Sequence, residues 1–286
     1  MNIIYGLIFL MAAPFAGGII IGMDRKISAR MQSRVGPPIL QPFYDVLKLF
    51  EKENIVVERS QSFFILGYLV MMAFSAALFF SGGDLLLVIF AMTLSEVFLV
   101  LGAYSAHSPF AFIGAERELI LMMAFEPMIL LTAGGMYLAT GSFFAESIAA
   151  SSMPLILLLP GVFLGLFYVM TIKLRKSPFD LSASQHTHQE LVQGIMTEFS
   201  GATLGAIEIA RWFETVLMLG FVYLFFGFSP LLALGAIIVL YFLELFTDNT
   251  YTRFKWPLAL KSSWLAALTL GMINILVLWV YIKGGL

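Results

Sequence analysis

SFFILGYLVMMAFSAALFFSGGDLLLVIFAMTLSEVFLVLGAYSA, residues 62–106, contains two apolar runs parted only by Gly82-Gly83-Asp84. Each run reaches the roughly 20 residues that a helix needs to cross a bilayer. Similar runs fall near 2–23, 117–139, 154–173, 204–227, 230–247 and 264–282, which with 62–81 and 84–106 makes eight. The fold class expected is an all-α integral membrane protein, a single membrane domain over 1–286 with about eight transmembrane helices. Composition agrees, with 60% hydrophobic and only 12% charged residues among 286, too apolar for a soluble globule. The sequence contains neither an internal repeat nor a soluble domain. The first run lacks a basic leading segment and a good cleavage site, so it reads as a retained helix and not a signal peptide.

The chain has no cysteine. It therefore supplies no disulfide and no thiolate-held iron–sulfur cluster or zinc, and any redox centre must sit on a partner. There is also no phosphate-binding glycine loop, nucleophile elbow or triad, so no catalytic residue and no metal site are assigned.

Basic residues set the expected orientation. Arg25, Lys26, Arg30, Arg34, Lys48, Lys52 and Arg59 follow the first run. Arg117, then Lys173, Arg175 and Lys176, then Arg253, Lys255 and Lys261 occupy later loops on the same side, against Lys283 alone opposite. Those loops are read as cytoplasmic and both termini as outside. In the first loop, Gly36-Pro37-Pro38 breaks the chain, and Pro42 suits the first turn of a helix. Phe43, Val46, Leu47 and Phe50 then share one face, as in an amphipathic helix lying in the membrane interface. A rigid break before such a helix suits a shaped mouth or a docking surface.

The longest polar connection is KLRKSPFDLSASQHTHQELVQGIMTEFSG, residues 173–201, a long cytoplasmic loop between the fifth and sixth runs. His186 and His188, two apart, cannot share a helix face; they read as interfacial or titrating groups. Within the runs lie Glu96, Glu126, Glu208, Glu214 and Glu244, with Arg211 between the two acids of the sixth. Ionised groups in hydrocarbon cost several kcal/mol and usually face a protein interior or a wet cavity. Glu96, Glu126 and Glu214 fall some ten residues from the cytoplasmic ends of their runs, roughly 15 Å in at the helical rise. Arg211 could neutralise Glu208 and Glu214 locally, whereas Glu96 and Glu126 have no cation nearby in sequence. A line of acids from a cytoplasmic loop inward reads as an ion-translocation path: Glu96, Glu126, Glu208, Arg211, Glu214 and Glu244.

Five motifs, GMDRKISARMQSRVGPP (22–38), QPFYDVLKLFEKE (41–53), GAERELILMMAFEP (114–127), KSPFDL (176–181) and ELVQGIMTEFSG (190–201), occur in that order. Together they resemble the H-type membrane subunit of respiratory complex I over essentially the whole chain. After PFDL the loop reads SASQHTHQE in place of the acidic stretch of quinone-reducing members. That version is similar to the membrane-anchor subunit of energy-converting [NiFe] hydrogenases, the Ech and membrane-bound type.

The resemblance implies a subunit with no cofactor of its own. Its partners would be the hydrogenase large and small subunits, a ferredoxin-linked iron–sulfur subunit, antiporter-like membrane subunits and the lipid bilayer, with no nucleic acid. Those partners would carry iron–sulfur clusters and a NiFe centre. Asp24, Arg25, Lys26, Arg30, Arg34, Gly36 and Pro37 would dock the redox arm. Asp180, His186, His188, Glu190 and Glu198 would couple it to the buried acids, with Gly194 and Gly201 as hinge candidates. The rival readings are a quinone- or other-acceptor-reducing complex I-like dehydrogenase and a stand-alone secondary transporter. Lack of an inverted repeat weakens the last.

Overall fold

A computed structural model of the chain describes residues 3–53, 58–182 and 193–284. Among these the structure is helical throughout, apart from one isolated bridge between Asp84 and Phe144. Helix α1 (Ile3–Met31) is followed by the short α2 (Gln41–Glu51), then α3 (Arg59–Phe80), α4 (Leu85–Tyr104) and α5 (Pro109–Thr140). Two short helices, α6 (Ala145–Ala149) and α7 (Leu155–Leu158), lead into α8 (Pro160–Lys173). A 3-10 turn at Gly194–Met196 precedes α9 (Gly201–Phe225), α10 (Pro230–Thr250) and α11 (Trp256–Ala266). The last continues through a π-helical turn, Ala267–Met272, into α12 (Ile273–Gly284).

Six of these stretches are long and apolar enough to cross a membrane: α1, α3, α4, α5, α10 and the α11–α12 rod. Two more helices complete the eight that the hydropathy pattern predicts. Helix α8 is apolar but has only 14 residues. Helix α9 is long enough, and from Trp212 to Val222 every residue is buried. A helix buried all round can carry Glu208, Arg211 and Glu214 because its neighbours, not lipid, surround them.

The sharp turn between α3 and α4 depends on Gly82, whose φ of +79° a side chain would disfavour. Asp84 then caps α4, its Oδ1 accepting from Leu86 N at 2.8 Å and Leu87 N at 3.4 Å. Four boundaries differ most from the sequence reading, one of them at α11, which opens at Trp256-Pro257, eight residues before the expected 264. Helix α1 runs on to Met31, since DRKISARM contains no breaker before the left-handed Ser33 (φ +60°), where Arg34 N bonds back to Ala29 O at 2.7 Å. Pro109 opens α5 eight residues before the expected 117. The fifth run, expected as one helix over 154–173, breaks at Leu159-Pro160, where proline cannot donate the next helical hydrogen bond.

Helix α2 forms as expected, with Pro42 in its first turn. Its packing face differs. Pro42 and Val46 are buried, and the Phe43 ring lies against Gly18 and 5.1 Å from Trp212. Leu47 and Phe50, expected on that same face, are 59% and 50% exposed. The helix grips α1 and α9 with one stripe and turns a second apolar stripe outward, as suits the headgroup–acyl boundary.

The described ends of the long connection are folded. Ser182 O accepts from Ile195 N at 3.0 Å, and the 3-10 turn beds directly on Gly114 of α5. A Cβ at position 114 would run into Ile195 N and the Gly194 carbonyl carbon. Gly194 and Gly201 both have positive φ, 45° and 54°. Gly114→Val should therefore destabilise the protein by about 1–3 kcal/mol through overpacking. Thermal unfolding of the detergent-solubilised protein checks this, with the surface change Gly235→Ala, which meets open space, as the neutral control.

A charged cavity over a buried ion cluster

The site grows from four residues, Lys173-Leu174-Arg175-Lys176, at the end of α8. The helix closes with Arg175 N bonded to Ile172 O and Lys176 N to Thr171 O, each at 3.0 Å. This is the closure that usually places glycine in the left-handed position; here Arg175 occupies it, with φ +51°. A non-glycine residue there gives up about 1 kcal/mol. The turn reverses the backbone within three residues and sends three cations in three directions.

Lys173 points into the bundle. Its ammonium pairs with Glu96 of α4 and, at 3.2 Å, with Glu214 of α9, and it lies 4.3 Å from the Phe125 ring centre. All three charged side chains are at most 5% exposed. Arg175 reaches α5, its Nη2 donating to Glu118 Oε1 at 2.5 Å. Burial works against the guanidinium charge, but Glu118 and Glu214 outweigh it and hold its pKa above the ordinary value. Lys176 joins Asp24 of α1 and reaches Asp248 of α10 at 3.5 Å. Asp248 Oδ1 also accepts from Ser177 N at 2.8 Å, and Tyr241 donates to Asp24 at 3.2 Å.

For Lys176, burial again opposes the charge, and Asp24 and Asp248 overcome it, raising its pKa above 10.5. The tether is at full strength below that value and is lost as pH rises through the higher folded-state value.

These groups surround a cavity of about 320 Å³. Its walls carry six basic residues (Arg25, Lys173, Arg175, Lys176, Arg211, Arg253) and five acidic ones (Asp24, Asp180, Glu208, Glu214, Asp248). Ile21 and Leu174 are the aliphatic residues among the lining side chains. Lys173 is the last residue of α8, yet it meets Glu96, eight residues before the end of α4. The end of α8 is thus recessed by about 12 Å at the helical rise.

The sequence-assigned residues fall into distinct places. Glu96 and Glu214 come together on Lys173, so Glu96, which has no cation nearby in sequence, meets one from α8, 77 residues away. Arg211 Nη1 donates to Glu208 at 3.1 Å, and Glu214 turns to Lys173. Glu126 is 17 residues from the start of α5, not the nine expected, because that helix begins at Pro109. It still lies level with the cluster, since its neighbour Phe125 touches Lys173. Glu244 stands apart from the Lys173 cluster, wholly buried in α10, with no hydrogen-bond partner on either oxygen.

Among the docking residues, Asp24 and Arg25 are drawn inward. Asp24 serves Lys176, and Arg25 donates to Asp45 of α2 at 2.6 Å. Burial tends to raise the Asp45 pKa, but Gln41, Arg25 and Lys48 lower it overall. Arg30 and Arg34 are exposed, Lys26 is half-buried, and Gly36 has φ +74° ahead of Pro37. Asp180 pairs with Arg253 at 2.8 Å, and Glu198 is half-buried after the 3-10 turn. His186, His188 and Glu190 lie outside the described residues.

Sequence reasoning passed over Lys173, Glu118, Asp248 and Tyr241. Glu118 could have been found as one more carboxylate inside the apolar run expected over 117–139. Lys173 gave no such signal, since a cation ending an apolar run reads first as a loop charge.

Chemically, the arrangement is a set of carboxylates paired with cations, and two of these carboxylates keep one oxygen open. Glu96 Oε2 and Glu118 Oε2 are buried without a hydrogen-bond partner. Buried polar oxygens of this kind are normally satisfied by ordered water, which would link the cavity to the cluster. Lys173→Met should destabilise the protein by about 3–5 kcal/mol, because it strands two buried carboxyls. Adding Glu96→Gln should recover part of that loss in a thermal-stability double-mutant cycle. Lys176→Met should lower the thermal midpoint at neutral pH and abolish the protein's sensitivity to strong alkali at this tether.

Residues 3–279 match the family described as NADH dehydrogenase. Hydrogenase-4 component C of Escherichia coli K12 is 30% identical, over 90% of this chain and 89% of its own. Formate hydrogenlyase subunit 4 of the same organism is 28% identical, over 73% and 72%. The H-type subunit of the NADH-quinone oxidoreductase of Syntrophotalea carbinolica is 26% identical, over 89% and 88%. Among solved structures, a chain of the membrane-bound sulfane sulfur reductase, an archaeal respiratory membrane complex, superposes with a TM-score of 0.86 at 27% identity, over 96% of this chain and 98% of that one. Helical spans, ion cluster and sequence therefore agree: this multi-pass membrane protein belongs to the NADH dehydrogenase family, as an H-type subunit of the complex I kind.

Proposed function

We propose that the chain is the membrane subunit of an energy-converting [NiFe] hydrogenase complex in the cell membrane, with both termini outside. It docks a cytoplasmic redox arm and couples ferredoxin-linked hydrogen chemistry to translocation of H⁺ or Na⁺ through its buried carboxylates. The observation that carries this reading is the charged cavity leading to the Lys173–Glu96–Glu214 cluster in a chain without cysteine. A protein with no thiolate ligand leaves electron transfer to partners and keeps ion handling for itself. The relatives named for hydrogenase-4 and formate hydrogenlyase support the hydrogenase branch.

On this reading the hydrogenase large and small subunits and the iron–sulfur subunit bind over the cavity, and antiporter-like subunits bind within the membrane. Exposed Arg30 and Arg34, with the rigid Gly36-Pro37 corner, offer a contact surface, while Asp24, Arg25 and Asp180 form the inner wall behind it. A change at the docked arm reaches the acids through the 173–182 segment, whose cations hold Glu96, Glu214, Glu118, Asp24 and Asp248.

A quinone-reducing complex is the second reading, favoured by the relatives named for NADH-quinone oxidoreductase. A prenylated quinone needs an apolar channel for its tail, whereas the cavity walls here are mostly charged.

Purification of the native complex through a tag on this chain decides between them. Nickel, ferredoxin-dependent hydrogen evolution and no bound quinone are the expected results; bound quinone without nickel would reject the hydrogenase reading. Within a hydrogenase complex, Glu126→Gln and Glu214→Gln should each suppress ion translocation in proteoliposomes while hydrogen evolution from artificial donors stays largely intact. Full translocation in both variants would remove these acids from the path.

A further inference from the structure

The break between α7 and α8 lies in the apolar body of the protein, where exposed backbone polar groups cost several kcal/mol each. Leu159 leaves the helix with φ −124° and ψ 46°, and Pro160 has no N–H. Leu158 O and the N–H groups of Gly161 and Val162 are thereby cut off from α-helical partners.

One side chain serves all three. Asn274 of α12 accepts from Gly161 N at 2.9 Å and Val162 N at 3.1 Å through Oδ1, and its Nδ2 donates to Leu158 O at 3.2 Å. The approach is close: a Cβ on Gly161 would stand 2.5 Å from Leu270 O and 3.0 Å from the Asn274 Cβ. Leu270 belongs to the π-helical turn immediately before Asn274. A π turn inserts a residue into the helix and rotates the residues after it by about 100° relative to an unbroken α-helix. That turn is what aims Asn274 at α8.

One other contact of α8 along this seam is compliant. Met128 of α5 is wedged against Gly165 of α8 and Gly271 of the π turn, and an unbranched thioether accommodates sliding better than a branched side chain. Tyr168 donates to Ser262 of α11 at 2.6 Å. At the far end of the same short helix sits Lys173, between Glu96 and Glu214.

We propose that Asn274 is a positioning residue for Lys173: an axial latch, aimed by the π turn, that fixes α8 where its last residue bridges Glu96 and Glu214. The latch rests on the reading of that cluster as the ion-handling centre only for its functional consequence; its structural consequence is independent. Without the latch, the N-terminal end of α8 loses its polar anchor, and Lys173 leaves its single position between the two acids.

The native sequence has no cysteine, so paired spin labels can be placed on cysteines introduced at Leu174, beside Lys173, and at Ser28 of α1. Both positions line the cavity. In the purified complex, pulsed-dipolar distances should be narrow in the otherwise native protein and in Asn274→Asp, which keeps an acceptor for both N–H groups. Asn274→Ala should broaden or shift them, with the native distance depopulated by roughly tenfold. Val280→Ala, exposed on the same rod beyond the π turn, should change nothing. Should Asn274→Ala fail to assemble, Asn274→Ser, which retains an oxygen at shorter reach, replaces it with the same expectation.

An unchanged distribution in an assembled Ala or Ser variant would overturn the latch, whatever translocation does. A broadened distribution with a fallen ratio of ions moved to hydrogen evolved upholds both the latch and the role of the cluster. A broadened distribution with full coupling upholds the latch and removes the cluster from ion translocation.

Discussion

Three cations within four residues hold the interior of this protein together. Lys173 engages α4 and α9, Arg175 engages α5, and Lys176 engages α1 and α10. Each is buried where an unpaired charge would be costly, so each fixes its helix partners as much as it is fixed by them. The left-handed Arg175 makes the divergence possible, since a continued helix would have spread the three around one axis at 100° steps. Moving this one segment disturbs every one of these pairs together, which is a physical basis for coupling a loop to distant helices.

Around that centre the bundle is sorted by polarity. Helix α9 is buried along most of its length and carries its charges inward. Helices α1 and α10 and the α11–α12 rod expose Phe15, Leu231, Ile238, Leu265 and Val277 among many others. Apolar surface on the rim and polar groups inside is the arrangement lipid imposes, because lipid offers neither hydrogen bonds nor counter-ions. The same pressure explains Asn274: backbone groups released by a proline break have to be paired inside the protein.

The cavity and the cluster beneath it form one polar volume closed by ion pairs, and Glu244 is a buried acid on the same helix that supplies Tyr241 and Asp248 to the wall. Pairs of this sort contribute less to net stability than their number suggests, because desolvation offsets most of the attraction. Their effect is specific: they define which helices meet and leave the second oxygens of Glu96 and Glu118 free for water. A site built this way suits moving small charges and is poorly matched to gripping a large apolar ligand.

Much of this was legible in the residues themselves. Apolar runs of membrane-crossing length gave the helical spans and their near count, Gly82-Gly83-Asp84 gave the tightest hairpin, and Pro42 marked the start of α2. These are local properties, decided by length, hydropathy and turn chemistry within a few neighbours. The acids Glu96 and Glu214 could be picked out because a carboxylate in an apolar run has no local reason to be there. Their partner could not, since Lys173 is far from Glu96 in sequence and is brought to it by the recess of α8. The outward turn of Leu47 and Phe50 and the repair by Asn274 of the break at Leu159-Pro160 likewise depend on neighbours more than a hundred residues distant. Sequence fixes which segments must be buried in lipid or protein; only the packing of those segments decides which charges meet, because those ion pairs join residues far apart in the chain.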